Sequence, residues 1–320
     1  MNCLICNKNE AVKFLDDYKL EMKEDKDYFK NAKIYRCNDC DFAFVHPMPS
    51  NDTLDYFYKH VYRAGGRPPY LVSENYEDQI KHYLEDKNLS YLLYLTTLID
   101  VKKIKNFYDF GCGDGDLGYA LKKKFPQLNL FCSEGDSQCE KILKDRKYKN
   151  FENINEIDKK FDLIVATHSL EHLSDINSIF SKFKEMLNPS GFIFFEVPNC
   201  PREYWNGRPY DGPHLLFYTK KSFEVLAEKY DFKFLNFSNS AYTFSEDHRF
   251  QRESQDLYHK GKSSIITKLK QTLKKLLPKK LISFRQDILQ IQKIRNDIKM
   301  NWFVNNTGDN CYIRGILQKK

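Results

Sequence analysis

The run Phe107-Tyr-Asp-Phe-Gly-Cys-Gly-Asp-Gly-Asp-Leu-Gly118 constrains the fold more than any other stretch of this 320-residue chain. An aromatic, strand-like segment passes into a loop with glycine at 111, 113, 115 and 118, and helical sequence follows. Glycine permits positive φ and lets bare backbone approach a ligand closely. The helix that follows aims free N–H groups and a positive dipole end at the same point. A strand, a glycine loop and a helix in that order form a cradle for a nucleotide cofactor.

Taken alone, Gly113-x-Gly115-x-x-Gly118 matches the dinucleotide fingerprint, and Glu134 stands where a ribose ligand would. Three features point instead to S-adenosylmethionine. Asp109 sits inside the strand before the first glycine, where a buried carboxylate needs a partner, and a cofactor with a cationic amino-acid tail can supply one. Phe161-Asp-Leu-Ile-Val-Ala-Thr-His-Ser-Leu-Glu-His-Leu173 is an apolar strand ending in a polar cluster. Gly191-Phe-Ile-Phe-Phe-Glu-Val-Pro-Asn199 is a second buried-strand run, followed by His214-Leu-Leu-Phe-Tyr-Thr219.

On these residues the chain resembles the class I S-adenosylmethionine-dependent methyltransferases. It is most similar to the branch that carries an N-terminal zinc-binding module and modifies sugars or surface-glycan precursors. The resemblance implies a cofactor site formed by Asp109, Gly111, Cys112, Gly113 and Gly115 of the loop, Glu134 as ribose ligand, and Thr167 and His168 beside the methionine moiety. It covers most of residues 1–240 and returns at the C-terminus. The element at 214–219 departs slightly from the family pattern, with Tyr218 before the threonine. An NAD-dependent oxidoreductase, an RNA methyltransferase and a non-catalytic cofactor binder remain alternatives.

Four of the nine cysteines form Cys3-x-x-Cys6 and Cys37-x-x-Cys40. Two such knuckles suit tetrahedral Zn²⁺ with no ligand position left open, which makes the metal structural. Four reduced cysteines in an unrelated fold are the plainer alternative. His46 and His60 are spare ligands that a four-cysteine set does not need. A metal-type cysteine pattern, and a start without the n- and h-regions of a signal peptide, point to a reducing cytoplasm. No run of about 20 apolar residues is present to span a bilayer.

Alternating β and α patterns predict a Rossmann-like α/β fold: a seven-stranded class I methyltransferase sheet, a small zinc ribbon, and a helical insertion before the last strand. The expected divisions are a zinc ribbon at 1–50, a helical connector at 51–105, the cofactor-binding core at 106–240, a basic helical insertion at 241–308 and the terminal core strand at 309–320. Within the connector, a long helix is expected at 75–100, packed beside the glycine loop. The formal net charge is +7, yet residues 260–299 hold twelve Lys or Arg and two acids, so the basicity belongs to one segment. There, Ser263–Leu277 reads as a basic amphipathic helix. It either packs on the domain, lies on the inner face of an anionic membrane, or meets a partner; nucleic acid is disfavoured.

Methyl transfer to a hydroxyl requires an oriented acceptor and removal of a proton. His214 and His168 are the candidate bases, and His168 is equally a cofactor contact. Glu171 and His172 read as structural residues at a helix start. In the loop after the fifth core strand, Tyr204, Trp205 and Tyr210 can stack on a sugar ring, and Arg202 and Arg208 can clamp a phosphate. The expected substrate is a small molecule or glycan precursor.

Overall fold

The computed structural model describes residues 1–20, 23–62, 87–201, 213–240 and 312–320. The loop residues Arg202, Tyr204, Trp205, Arg208 and Tyr210 and the whole of the expected helical insertion with its basic segment lie outside them, as do residues 75–86 of the long helix.

At the N-terminus, β1 (Val12–Asp17) pairs antiparallel with β2 (Lys33–Cys37), with α1 (Lys23–Tyr28) between them. A tight turn leads from β2 into β3 (Ala43–His46). In that turn Asp41 adopts φ +63°, and its carboxylate receives Arg36 Nη2 at 3.0 Å. The two prolines after β3 end the strand, and Ser50 caps α2 (Asn51–His60) by accepting from the Thr53 N–H. Next comes α3 (Lys87–Leu98), which turns Tyr91 and Leu95 inward as its periodicity predicts. Tyr94 is buried with them, and the Tyr91 and Tyr94 rings lie 5.5 and 5.6 Å from Phe194.

The core begins with β4 (Asn106–Phe110), α4 (Asp116–Lys124), β5 (Asn129–Ser133), α5 (Glu140–Asp145) and β6 (Tyr148–Asn150). It continues through β7 (Phe161–Thr167), α6 (Ile176–Met186), β8 (Leu187–Pro198), β9 (Leu216–Phe217), α7 (Lys220–Lys229), β10 (Phe232–Ser240) and β11 (Tyr312–Lys319). Helix starts follow their capping residues: Asp175 accepts from two N–H groups of α6, and Thr219 and Ser222 form a capping box on α7. The seven-stranded sheet has the order β10-β11-β8-β7-β4-β5-β6, and β11 runs antiparallel to both neighbours. That is the class I methyltransferase sheet, with the reversed last strand inserted between the fifth and sixth. Element ends differ slightly from expectation. A 3₁₀ turn at Ser137–Cys139 precedes α5, and β8 begins at Leu187, ahead of the apolar run from Gly191. No helix among the described residues is long and apolar enough to cross a membrane.

The N-terminal sheet does not stop at its own residues. Its order is β1-β2-β3-β9, so its last strand comes from the core. Cys3, Ile5, Phe42 and Phe44 share one apolar cluster with Phe161, Phe180 and Phe223. The Tyr18 hydroxyl donates to His214 O at 2.7 Å, and Lys229 Nζ donates to Ile5 O at 2.9 Å. Residue 50 therefore marks no break in packing.

Register partners on adjacent strands, Arg314 of β11 and Glu196 of β8 are both fully buried and paired through Nε and Nη2 at 2.6 and 2.5 Å. Removing one partner strands a buried charge, which costs about 3–5 kcal/mol. Arg314→Met should lower the urea midpoint of the full chain accordingly; an unchanged midpoint would show that the pair does not hold β11 in place.

Candidate functional site

The carboxyl ends of β4, β5 and β7 converge on one cavity of about 470 Å³, a size suited to a small-molecule site. β4 delivers Asp109, 3% exposed, followed by Gly111 and Gly113 with φ +67° and +56°. A Cβ on Gly111 would stand 2.7 Å from Ser169 Cβ, so the loop can lie against the turn after β7 only without a side chain. β5 delivers Glu134, whose Oε2 accepts from the Gly113 N–H at 2.7 Å and whose Oε1 accepts from the Asp136 N–H at 2.9 Å. Of the eight residues expected to hold the cofactor, Asp109, Gly111, Cys112, Gly113, Glu134, Thr167 and His168 line the cavity. Gly115 does not. It caps α4 at φ +75° and packs on Tyr148, whose hydroxyl donates to Gly115 O at 2.9 Å.

The cavity's charge separates the two cofactors that the glycine pattern allows. Asp55, Asp109, Asp114, Asp116, Glu134, Asp136 and Glu152 line it, and among the described residues no Lys or Arg does. Arg146 compensates part of this from behind, pairing with Asp116 at 2.6 Å. The diphosphate of a dinucleotide would enter against this field, whereas a sulfonium and an ammonium are attracted by it. The residues present fit S-adenosylmethionine.

His168 is held differently from the sequence expectation. At φ +53°, its ring lies between two buried carboxylates, with Nε2 3.2 Å from Glu196 Oε1 and Nδ1 3.5 Å from Glu171 Oε1. Burial opposes charge on the imidazole, but the flanking Glu171 and Glu196 outweigh it and raise the pKa. Burial likewise opposes charge on both carboxylates. His168 nevertheless holds Glu171 down to about 2, and Arg314 with His168 holds Glu196 down to about 2. The two carboxylates thus favour the protonated form of His168 and fix its ring on the cavity wall.

The opposite wall comes from an element that the sequence reading left as a connector. Asn51, Leu54, Asp55 and Tyr58 of α2, with Tyr62 beyond it, line the cavity and join His172 and Ser174, whose hydroxyl donates to Asn51 Oδ1 at 2.6 Å. The Tyr58 hydroxyl lies 3.0 Å from His172 Nδ1. Glu171 and His172 occupy a 3₁₀ turn (Leu170–His172) ahead of α6 rather than the helix start. His214 stands behind this wall, its ring 4.9 Å from that of His172, and is not among the lining residues. The i, i+4 pair Leu54 and Tyr58 was the available signal for this wall, but burial against the core explains such a pattern equally well.

Apart from the cavity, the four cysteines of the two knuckles meet as their spacing predicts. Cys3 Sγ is 3.4 Å from Cys40 Sγ, Cys6 Sγ is 3.6 Å from Cys37 Sγ, and all four lie within 4.8 Å of one another. A Zn–S bond of about 2.3 Å places tetrahedral sulfurs roughly 3.8 Å apart, so the group could hold zinc. His46 and His60 do not join it.

Residues 80–236 match the model of a family described as a methyltransferase domain. Among curated proteins, the chain is similar to the ubiquinone biosynthesis O-methyltransferase of Pasteurella multocida (strain Pm70), 26% identical over 142 residues, covering 39% of this chain and 57% of that one. It is also similar to malonyl-[acyl-carrier protein] O-methyltransferase 2 of Ilyobacter polytropus, 28% identical over 107 residues, covering 31% and 41%. The chain spans about half the length of these relatives. Among solved structures, the StiE O-MT is 15% identical with a TM-score of 0.44, covering 81% of this chain and 80% of that one. Coclaurine N-methyltransferase bound to N-methylheliamine and SAH is 12% identical with a TM-score of 0.43, covering 76% and 81%. In sequence, residues 80–236 are similar to a methyltransferase domain.

The His168 cluster sets a pH signature. Its raised pKa contributes stability that is fully present below about pH 6.5 and is lost as pH rises through the folded value. Denaturation midpoints measured from about pH 5 to about pH 9 should fall in the wild type and flatten in His168→Gln. Parallel profiles would contradict this reading of His168.

Proposed function

We propose that the protein transfers a methyl group from S-adenosylmethionine to an oxygen of a sugar or nucleotide-linked precursor of a surface polysaccharide. The observation that carries this is the division of one cavity into two chemically distinct walls. The glycine-loop wall, with Asp109 and Glu134, suits the cofactor. The α2 wall offers the hydroxyls and amides of Asn51, Tyr58, Tyr62 and Ser174, with an aromatic surface beside them. Such a wall hydrogen-bonds and stacks on a polyol ring better than it buries an aliphatic chain.

S-adenosylmethionine, when bound, supplies an electrophilic methyl group on a sulfonium. The residues of this chain have the remaining tasks. Asp109, Glu134 and the loop N–H groups orient the cofactor, and Tyr58, Tyr62 and Asp55 orient the acceptor hydroxyl. The pair His172 and His214, backed by Glu171, promotes loss of the hydroxyl proton. Arg202 and Arg208 would hold an acceptor phosphate. Zinc in the four cysteines serves stability and binds no substrate.

The proposal is tested by incubating the full chain with methyl-labelled S-adenosylmethionine and a panel of sugar nucleotides and lipid-linked sugars. Label should appear on a sugar oxygen; transfer only to a nucleobase or RNA would contradict the acceptor class. His172→Ala and His214→Ala should each lower kcat by about 100-fold with S-adenosylhomocysteine affinity unchanged, and full turnover in both would remove the pair from the mechanism. Cys37→Ser should release zinc and lower the melting temperature of the whole chain, because the N-terminal sheet shares its core with the methyltransferase domain. A zinc-free wild type with the same melting temperature would contradict the structural metal.

A further inference from the structure

We infer that Glu171, His172 and His214 bind a divalent metal ion at the acceptor side of the cavity, separate from the metal proposed for the four cysteines. Its role rests on the methyltransferase reading above: the ion holds an acceptor that presents two neighbouring oxygens.

The inference starts from Glu171. The residue is 1% exposed, and among the described residues neither of its carboxylate oxygens takes part in a hydrogen bond. Its ionic neighbour His168 approaches only to 3.5 Å and is shared with Glu196. One shared ionic neighbour compensates such a buried carboxylate only in part, and a second cation would complete its partners. Two imidazoles converge on the same point: one ligand atom each from Glu171, His172 and His214 lie within 4.8 Å of one another. Metal bonds of about 2.0–2.2 Å need such atoms roughly 3 Å apart, a gap that small side-chain rotations close.

The backbone around the three residues is held firmly enough to preorganise them. The Leu215 N–H donates to Glu171 O at 2.8 Å, and His214 O accepts from the Tyr18 hydroxyl of the N-terminal sheet. His172 Nδ1 has the Tyr58 hydroxyl at 3.0 Å and Pro213 O at 3.4 Å. Such contacts orient the ring as outer-shell partners orient a metal-binding imidazole.

Two imidazoles and one carboxylate suit Zn²⁺, Mn²⁺ or Fe²⁺, and a three-residue set leaves positions open for substrate oxygens. His172 lines the cavity, so those positions face the acceptor, and the acidic lining concentrates cations there. A hydroxyl bound to the ion would lose its proton to water more readily, so holding the ion is how the His172 and His214 pair would promote that loss. A vicinal diol, a catechol or a hydroxy acid would chelate; an isolated alcohol would not.

The test is a metal count. Zinc-replete full-length wild type, Glu171→Gln and His214→Gln are dialysed against Mn²⁺, and bound metals are measured by emission spectrometry. The wild type should hold one more metal per chain than either variant, with all three keeping the same cysteine-bound zinc. Equal totals in the three proteins would overturn the inference. Should a variant fail to fold, the wild type decides: no metal in excess of that retained by the cysteines overturns it equally. The count requires no methyl transfer, so its failure and a failure of the methyltransferase reading are told apart.

Discussion

A line of buried charges running Arg314–Glu196–His168–Glu171 ties the sheet to the site. Arg314 and Glu196 are fully buried, and Glu196 Oε1 also accepts from the Tyr91 hydroxyl at 2.5 Å. Each member comes from a different part of the chain: the terminal strand, the fifth core strand, the end of β7 and the turn after it. α3 adds Tyr91 and Tyr94, over whose rings the Arg314 guanidinium lies at 5.1 and 5.5 Å. Alternating signs let four charged side chains sit where none could sit alone. The arrangement requires β11 to lie between β8 and β10. The reversed last strand therefore does more than finish the sheet: its Arg314 holds the Glu196 carboxylate that faces His168 on the cavity wall.

The N-terminal sheet plays the corresponding part on the acceptor side. By pairing β3 with β9 it fixes Leu215 and His214 against the Leu170–His172 turn, and it leads directly into α2, which forms the facing wall. The site is thus assembled from two sheets. One presents a glycine loop and carboxylates to a cationic cofactor; the other brings aromatic and polar side chains to the acceptor. Separation of charge between the cavity and the Arg146 and Arg314 positions behind it keeps an acid-rich pocket compatible with a packed core.

Much of this was readable in the residues. Positive φ at Gly111, Gly113 and Gly115 follows from the glycine spacing, the two Cys-x-x-Cys knuckles meet, and Phe161–Thr167 is a strand over the residues that its apolar run marks. What escaped depends on contacts between distant segments. Glu196 in an apolar strand and Arg314 in another are each anomalous, but only the sheet order makes them partners 118 residues apart. The carboxylates of Glu171 and Glu196 that flank His168 become visible only in three dimensions. Gly115 fits the loop pattern yet serves packing on Tyr148, because a glycine motif does not distinguish approach by a ligand from approach by a side chain. His172 gained its place on the wall from α2, a helix whose apolar spacing is equally that of a core helix.

The measurement that bears most directly on this account is calorimetric titration of the full chain with S-adenosylhomocysteine, with NAD as comparator. The acid-lined cradle predicts saturable, one-to-one binding of S-adenosylhomocysteine and none of NAD. Binding of NAD, or of neither ligand, would contradict the assignment of Asp109–Gly113 and Glu134 as a cradle for a sulfonium cofactor.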